Sequence, residues 1–279
     1  MEINKYSFCN CVIELISDEP VDKEGNFSLF NTESSDADYS LRIIRQDFLP
    51  EKKGKIINIS DRRKTYYDGQ KKIYTSYFNS KELKNIDYAC KTDNSMLYIS
   101  YPENLRELMV FDALDVPSML LEKGKGILHC SFIEYDGEAI LFTGIKQIGK
   151  STQAALWAKY RNAETINGDR AGIVIDNEKI YACGVPFCGT SGICKNKKLP
   201  LKAIICLSKG TENTIEHLSA INSFSALLGN FTYNLWDFAQ VDSITALVTS
   251  VAEKIPVFSY CCRKDESAVD FLSNQLLNL

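Results

Sequence analysis

The sequence predicts an α/β protein in which a smaller β-rich domain, residues 1–112, precedes a second domain, residues 113–279. Three observations predict it. Residues 1 to about 100 carry short runs that alternate apolar and polar side chains, divided by charged or Asp/Asn/Gly-bearing turns. From about residue 125, strand-like and helix-like segments mix, as in an α/β core. Between one such strand and helix stands Gly144-Ile-Lys-Gln-Ile-Gly-Lys-Ser151, which fits GxxxxGK[ST].

In the first part, Val12–Ile16, Ser40–Ile44, Lys55–Ile59, Lys72–Phe78 and Met96–Tyr101 read as strands of a half-buried antiparallel sheet. The tyrosines Tyr66, Tyr67, Tyr74, Tyr77 and Tyr88 cluster there, so a substrate-docking face is the alternative use of this sheet. Pro102 to Lys123 reads as a helical connector: it starts Pro-Glu, is divided at Pro117, and ends at Gly124–Gly126.

Beyond it, Ile127–Glu134 and Glu138–Thr143 are strand-like, and Ser151–Lys159 is helical, with Ala155, Leu156 and Lys159 at helical spacing. Residues 164–167 read as a strand. The stretch Ile173–Cys183 reads as a hairpin with Asp176-Asn177 at its tip. Leu201–Leu207 is a continuous apolar run, typical of a strand buried on both faces. Ser223–Leu228, Asp242–Lys254 and Ala268–Leu277 read as helices, and Pro256–Cys261 as a short strand.

Composition excludes several classes. With 45% apolar and 24% charged residues the chain is neither disordered nor fibrous. A net charge of −4 argues against coating nucleic acid, which needs a cationic surface. No apolar run approaches the roughly 20 residues of a bilayer span, and the start, MEINKYSFCNC, lacks a basic and then apolar leader. A cytoplasmic protein without a membrane partner is expected, its ten cysteines free thiols and mostly small core residues. Cys9/Cys11, Cys188/Cys194 and Cys261/Cys262 do not form CxxC pairs, and there are only two histidines, so zinc is poorly supported.

The residues 144–152 carry the chemistry. A chain of this length meets the pattern by chance at about the one-per-cent level, and the strand before and helix after tighten it. Gly144 and Gly149 permit backbone geometry closed to other residues, so the N–H groups of Ile145, Lys146, Gln147, Ile148 and their neighbours can line one anion-binding concavity. The helix start adds its positive dipole end. Lys150 supplies a charge for β- and γ-phosphates, the Ser151 hydroxyl can ligate Mg²⁺, and Thr152 completes the stretch. The inner Lys146-Gln147-Ile148 has no further glycine, so the loop is bulkier than usual.

A Mg²⁺–nucleotide site also needs a carboxylate. Asp169 ends Glu164-Thr-Ile-Asn-Gly-Asp169, at the carboxyl end of a strand, where it can hold Mg²⁺ or take the proton of an attacking hydroxyl; a plain β-turn aspartate is the alternative. His129 lies on the strand preceding the loop's own strand, where a structural role is equally open. His217 sits in a polar surface segment. The small-residue loop 185–194 and Lys195, Lys197 and Lys198 after it can serve an anion or form a plain turn and a solvated charge run. Arg170 can neutralise phosphate or pair at the surface.

The order of these features over about residues 125–210 resembles the HPr kinase/phosphorylase family and its phosphoenolpyruvate-carboxykinase-like relatives, including smaller HPr-kinase-like proteins, some of which phosphorylate serine. It is most specific at 144–152 and 166–170. The resemblance implies a carboxykinase-type P-loop core using ATP and Mg²⁺, with Lys150 on the β/γ-phosphates, and Ser151 and Asp169 at the metal. His129 matches the family's histidine, and Asp169 the second of two adjacent acids; Gly168 stands where the family has the first. The family's phosphorylase signature is unmatched, so dephosphorylation is not implied.

The expectation is an ATP-dependent kinase transferring the γ-phosphoryl group to a hydroxyl, a serine of a small protein or peptide, with Lys150, His129 and Asp169 catalytic. The amino-terminal domain would recognise the acceptor. The alternative is a nucleotide-dependent binding module or switch without transfer. Carboxykinase-like metabolic chemistry lacks identifiable further ligands. The sequence leaves homo-oligomerisation open.

Overall fold

The structure, a computed structural model, describes residues 1–23, 25–45, 54–59, 63–69, 72–77, 87–91, 96–100 and 106–277. The chain is mixed α/β and divides into two compact units, Met1–Met119 and Leu120–Leu279, where the sequence placed the boundary at 112/113. Packing explains the difference. The segment 107–113 is helical, and its Glu107 carboxylate accepts from the buried Tyr6 hydroxyl while Phe111 meets the Tyr6 ring edge-on at 5.0 Å. That helix therefore belongs to the first unit.

The first unit holds strands β1 (Glu2–Phe8), β2 (Cys11–Ser17), β3 (Tyr39–Arg45), β4 (Lys55–Ile59), β5 (Arg63–Tyr67), β6 (Lys72–Tyr77), β7 (Asp87–Lys91) and β8 (Met96–Ser100). Helices α1 (Gly25–Ser28), α2 (Glu107–Ala113) and α3 (Val116–Glu122) accompany them, α3 running across the boundary. The sheet order is β1-β2-β3-β8-β7-β6-β5-β4. It is mixed rather than antiparallel as expected, because β2–β3 and β3–β8 pair in parallel. The β2–β3 connection carries α1 and crosses over instead of turning back, and β4 to β7, which follow β3 in the chain, form an antiparallel ribbon on the far side of β8. The strands β1, β5 and β7 were not anticipated. The side chains of Tyr74, Tyr77 and Tyr88, Phe78, and the helix start at Pro102 lie outside the described residues. The connector breaks at Asp115 (φ 50°), not at Pro117, which sits in the first turn of α3 where a missing N–H is harmless.

The second unit contains β9 (Gly126–Tyr135), β10 (Glu138–Thr143), α4 (Lys150–Arg161), β11 (Glu164–Asn167), β12 (Arg170–Asp176), β13 (Lys179–Cys183), β14 (Lys198–Lys209), β15 (Thr214–His217), α5 (Ala220–Leu228), α6 (Phe238–Lys254), β16 (Val257–Cys262) and α7 (Glu266–Leu276). The strand order is β10-β9-β12-β13-β14-β16-β15, with β11 also on β9 and β10 also on β14. β9 and β14 are long because each serves two neighbourhoods. The first half of β9 pairs with β12 and the second with β10 and β11, while β14 passes from β13 to β10 and β16.

Period-2 patterning places the core on both faces. In β10, Ala139 and Leu141 join a cluster with Leu227 of α5 and Ile244, Leu247, Val248 and Val251 of α6. Ile140 and Phe142 join the opposite cluster with Trp157 of α4 and Val269 and Leu272 of α7. Each fully buried side chain of this size contributes about 1.5–3 kcal/mol, so the helices fix β10 from both sides. β10, β14 and β16 run parallel, and their carboxyl ends, Thr143, Lys209 and Cys262, share one edge. β11, antiparallel to β9 as β10 is, ends at that same edge.

Candidate functional site

At this edge the chain leaves β10 and turns sharply. Gly144 has φ 131°, and a Cβ there would lie 3.2 Å from the Leu207 carbonyl oxygen, so only glycine fits comfortably. Gln147 (φ 63°) and Gly149 (φ 122°) are also left-handed, which curls the backbone into a loop. Lys150, first residue of α4, is 8% exposed, and its Nζ donates to the carbonyls of Gly144 (3.0 Å) and Ile145 (3.3 Å). Desolvation lowers its pKa, against the opposing fields of Cys130 and Asp169. Ser219, Asp237 and Asp265 cap α5, α6 and α7 with side-chain oxygens, whereas α4 has Gly149 and no side-chain cap. Its first N–H groups and dipole end therefore face the loop, with Ile145, Lys146, Gln147, Ser151 and Thr152 exposed and Ile148 partly so.

Asp169 arrives from the turn between β11 and β12. Buried Asn167, which the sequence reading passed over, builds that turn. Its Oδ1 accepts from the N–H groups of Asp169 and Arg170, each at 2.9 Å, and its Nδ2 donates to the carbonyls of Val185 (2.9 Å) and Phe187 (3.1 Å). An Asn before Gly-Asp was the available signal, since its amide caps a turn. The register of β12 on β9 sets Arg170 opposite His129, so His129 Nδ1 lies 3.7 Å from Asp169 Oδ1. That is an electrostatic contact, beyond hydrogen-bond length. Arg170 Nε donates to Asp169 Oδ2 at 3.2 Å, so Arg170 serves this carboxylate.

Burial, followed by the charge of Lys150, lowers the His129 pKa; Asp169 opposes this and Arg170 adds to it. The imidazole is therefore neutral at pH 7 and able to accept a proton. Folding disfavours the charged form, so this contribution to stability is complete above pH 6.5 and is lost as pH falls toward the lowered pKa. The expected result is that His129→Gln flattens the stability decline just below pH 6.5, measured by urea unfolding across pH 5–8. An unchanged slope would remove His129 as its source.

Gly168 stands where the resembled family has the first of two adjacent acids, and packing leaves no room for one. A Cβ at 168 would stand 2.3 Å from Ser191 Oγ and 2.5 Å from Ser191 Cβ. Gly189 (φ 56°) closes on the other side, its would-be Cβ 2.8 Å from Asp169 Cγ. The 3₁₀ turn Gly189–Ser191 thus occupies the space beside Asp169, held by Ser191 Oγ donating to the Cys188 carbonyl at 2.6 Å. Gly168→Asp is expected to destabilise by about 1–3 kcal/mol through overpacking, and Ser191→Gly in the same chain to recover most of it. Additive effects in a double-mutant cycle would contradict this.

The lysines after this loop do not face the site as free cations. Lys195 and Lys197 pair with Glu164, Lys197 also with Glu134 (2.6 Å), and Lys198 with Asp176 (2.6 Å). Their carboxylate partners stand on β9, β11 and β12. His217 is exposed on β15, an edge strand that was read as a polar surface segment. Cys130, Cys194, Cys206, Cys261 and Cys262 form no disulfide. Among the described residues no group of three or more His, Cys, Asp or Glu could hold a metal, and no helix is long and apolar enough to cross a membrane. Mg²⁺ with a nucleotide needs fewer protein ligands, typically one or two carboxylates with phosphate and water oxygens. Asp169 and the exposed Ser151 hydroxyl fit that donor set.

The same edge opens into a cavity of about 210 Å³ bordered by Gly149, Thr152, Gln153, Lys209, Arg263 and Lys264. Gln153, Lys209, Arg263 and Lys264 were not singled out in sequence, because they come together only from α4 and the ends of β14 and β16.

No family model matches this chain, and no curated protein does. Among solved structures it is similar to the HPr(Ser) kinase/phosphatase from Coxiella burnetii, at 13% identity and a TM-score of 0.32, over 53% of this chain and 94% of that one.

Proposed function

We propose that the second unit is a P-loop phosphotransferase of the carboxykinase-like kind, binding the triphosphate of ATP on residues 144–152 and transferring its γ-phosphoryl group to a hydroxyl, that of a serine in a small protein or peptide. The observation that carries this is the convergence on one edge of a left-handed Gly144–Gly149 loop curled on the Lys150 ammonium and an acid–imidazole pair, Asp169 and His129.

Lys150 exchanges its two backbone carbonyls for β- and γ-phosphate oxygens, and the uncapped N–H groups of α4 stabilise charge that grows on the leaving phosphate. Ser151 and Asp169 would hold Mg²⁺, which supplies charge neutralisation across the phosphates. His129, neutral at pH 7, or Asp169 takes the acceptor's proton. The acceptor oxygen bonds to phosphorus as the bond to the β-phosphate oxygen breaks, and ADP leaves. Arg170 orients the Asp169 carboxylate through its Nε.

Labelled γ-phosphate from ATP, offered with serine-bearing peptides and proteins, tests the reading. Label appearing on a hydroxyl supports it; nucleotide binding without labelled product in any arm would exclude transfer. A second reading, a nucleotide-dependent switch, is favoured by one specific observation. Ser191 fills the space beside Asp169 that a second acid at position 168 would need. It predicts ATP-dependent partner binding without label.

A further inference from the structure

Gln153 sits on the second turn's approach of α4, 2% exposed. Its Nε2 donates to the Arg263 carbonyl at 3.2 Å and lies 3.1 Å from Cys262 Sγ. A carbonyl only accepts, so the amide nitrogen must face it, and the orientation of the amide is fixed. Arg263 is itself anchored, its N–H on Asn213 Oδ1 at 2.9 Å and its Nε on Asp265 Oδ2 at 2.8 Å. The consequence is that Gln153 Oε1 is buried with no hydrogen-bond partner among the described residues. A buried acceptor left unpaired is costly, and the cost is tolerated where a ligand supplies the donor.

Gln153 borders the cavity of about 210 Å³ that adjoins Gly149 and Thr152. Clefts for drug-sized ligands run to roughly 300–1,000 Å³, so this one suits a flat heteroaromatic ring rather than a whole nucleotide. It lies at the carboxyl edge of parallel strands, beside the loop that would carry the phosphates.

We propose that this cavity is the base subsite, and that Gln153 Oε1 selects nucleotides whose base carries an exocyclic amino group by accepting from it. The assignment rests on residues 144–152 binding the triphosphate. Lys209 and Lys264, which make no ion pair among the described residues, flank the ring and meet the sugar or α-phosphate side.

Calorimetry with Mg²⁺ separates the two claims. Inorganic tripolyphosphate reports the loop alone, and the pairs ATP against purine riboside triphosphate, and GTP against inosine triphosphate, each differ by one amino group. The expected result is that wild type binds tripolyphosphate and that losing the amine weakens one pair by about tenfold or more, naming the base. In Gln153→Leu, or in Gln153→Asn should the leucine variant not fold, that ratio falls to about one. Tripolyphosphate binding with both pairs equal in wild type, or a ratio that survives the substitution, overturns the base assignment alone. Failure of tripolyphosphate to bind overturns the phosphate reading and this assignment with it.

Discussion

Lys150→Met is expected to weaken ATP binding by about 100-fold or more while leaving the apo protein as stable as wild type. The first half follows from charge. Hydrogen bonds to ionised groups are worth roughly 1.5–3 kcal/mol each, and Lys150 would make them to two phosphates, where a loss of 2.7 kcal/mol already amounts to about 100-fold. The second half follows from the site's geometry. Lys150 is nearly buried, and its acceptors are backbone carbonyls of its own loop rather than a carboxylate. Desolvation lowers its pKa, so the charge opposes folding at neutral pH, and methionine keeps the aliphatic stem without it. Calorimetry with ATP and Mg²⁺, beside urea unfolding of the free protein, checks both halves. Undiminished ATP affinity would remove Lys150 from the phosphates; a loss of both stability and affinity would mark it as structural.

Asp169→Asn is expected to reduce phosphoryl transfer by about 10²–10⁴-fold, the usual worth of a positioned acid–base group, while ATP still binds. Asparagine preserves the shape, and the Asn167 amide continues to hold the turn through the 169 and 170 N–H groups, so the backbone stays in place. What disappears is a negative charge between His129 and Arg170. That charge raises the His129 pKa against burial and Lys150, so the imidazole should titrate still lower in the variant. Proton NMR of the imidazole and a single-turnover assay read the two effects. Transfer that persists at the wild-type rate would assign the chemistry elsewhere; an imidazole pKa that rises would break the proposed pairing.

The stretch from β10 through the loop to α4 was legible because its determinants are local. A short apolar run writes the strand, glycines at 144 and 149 permit the left-handed turns, and good helix formers follow. The turn at Asn167-Gly-Asp169 was legible for the same reason. Gln147 at φ 63° shows how the bulkier inner loop is accommodated without another glycine. The first unit was less legible: alternation marks a strand but not its partner, so parallel pairing of β2, β3 and β8 was missed.

By itself, then, the sequence determined an α/β chain with a glycine-lysine loop between strand and helix and an aspartate at a strand's end, since each depends on neighbours within a few residues. Tertiary structure alone decided that His129 meets Asp169, that Ser191 fills the space beside Gly168, that Lys195, Lys197 and Lys198 are spent on carboxylates, and that Gln153 faces Cys262 and Arg263. These contacts join segments far apart in the chain. Their register is set by burying side chains on both faces of β10 and β14 at once, a condition on the whole packed unit that no short window of residues expresses.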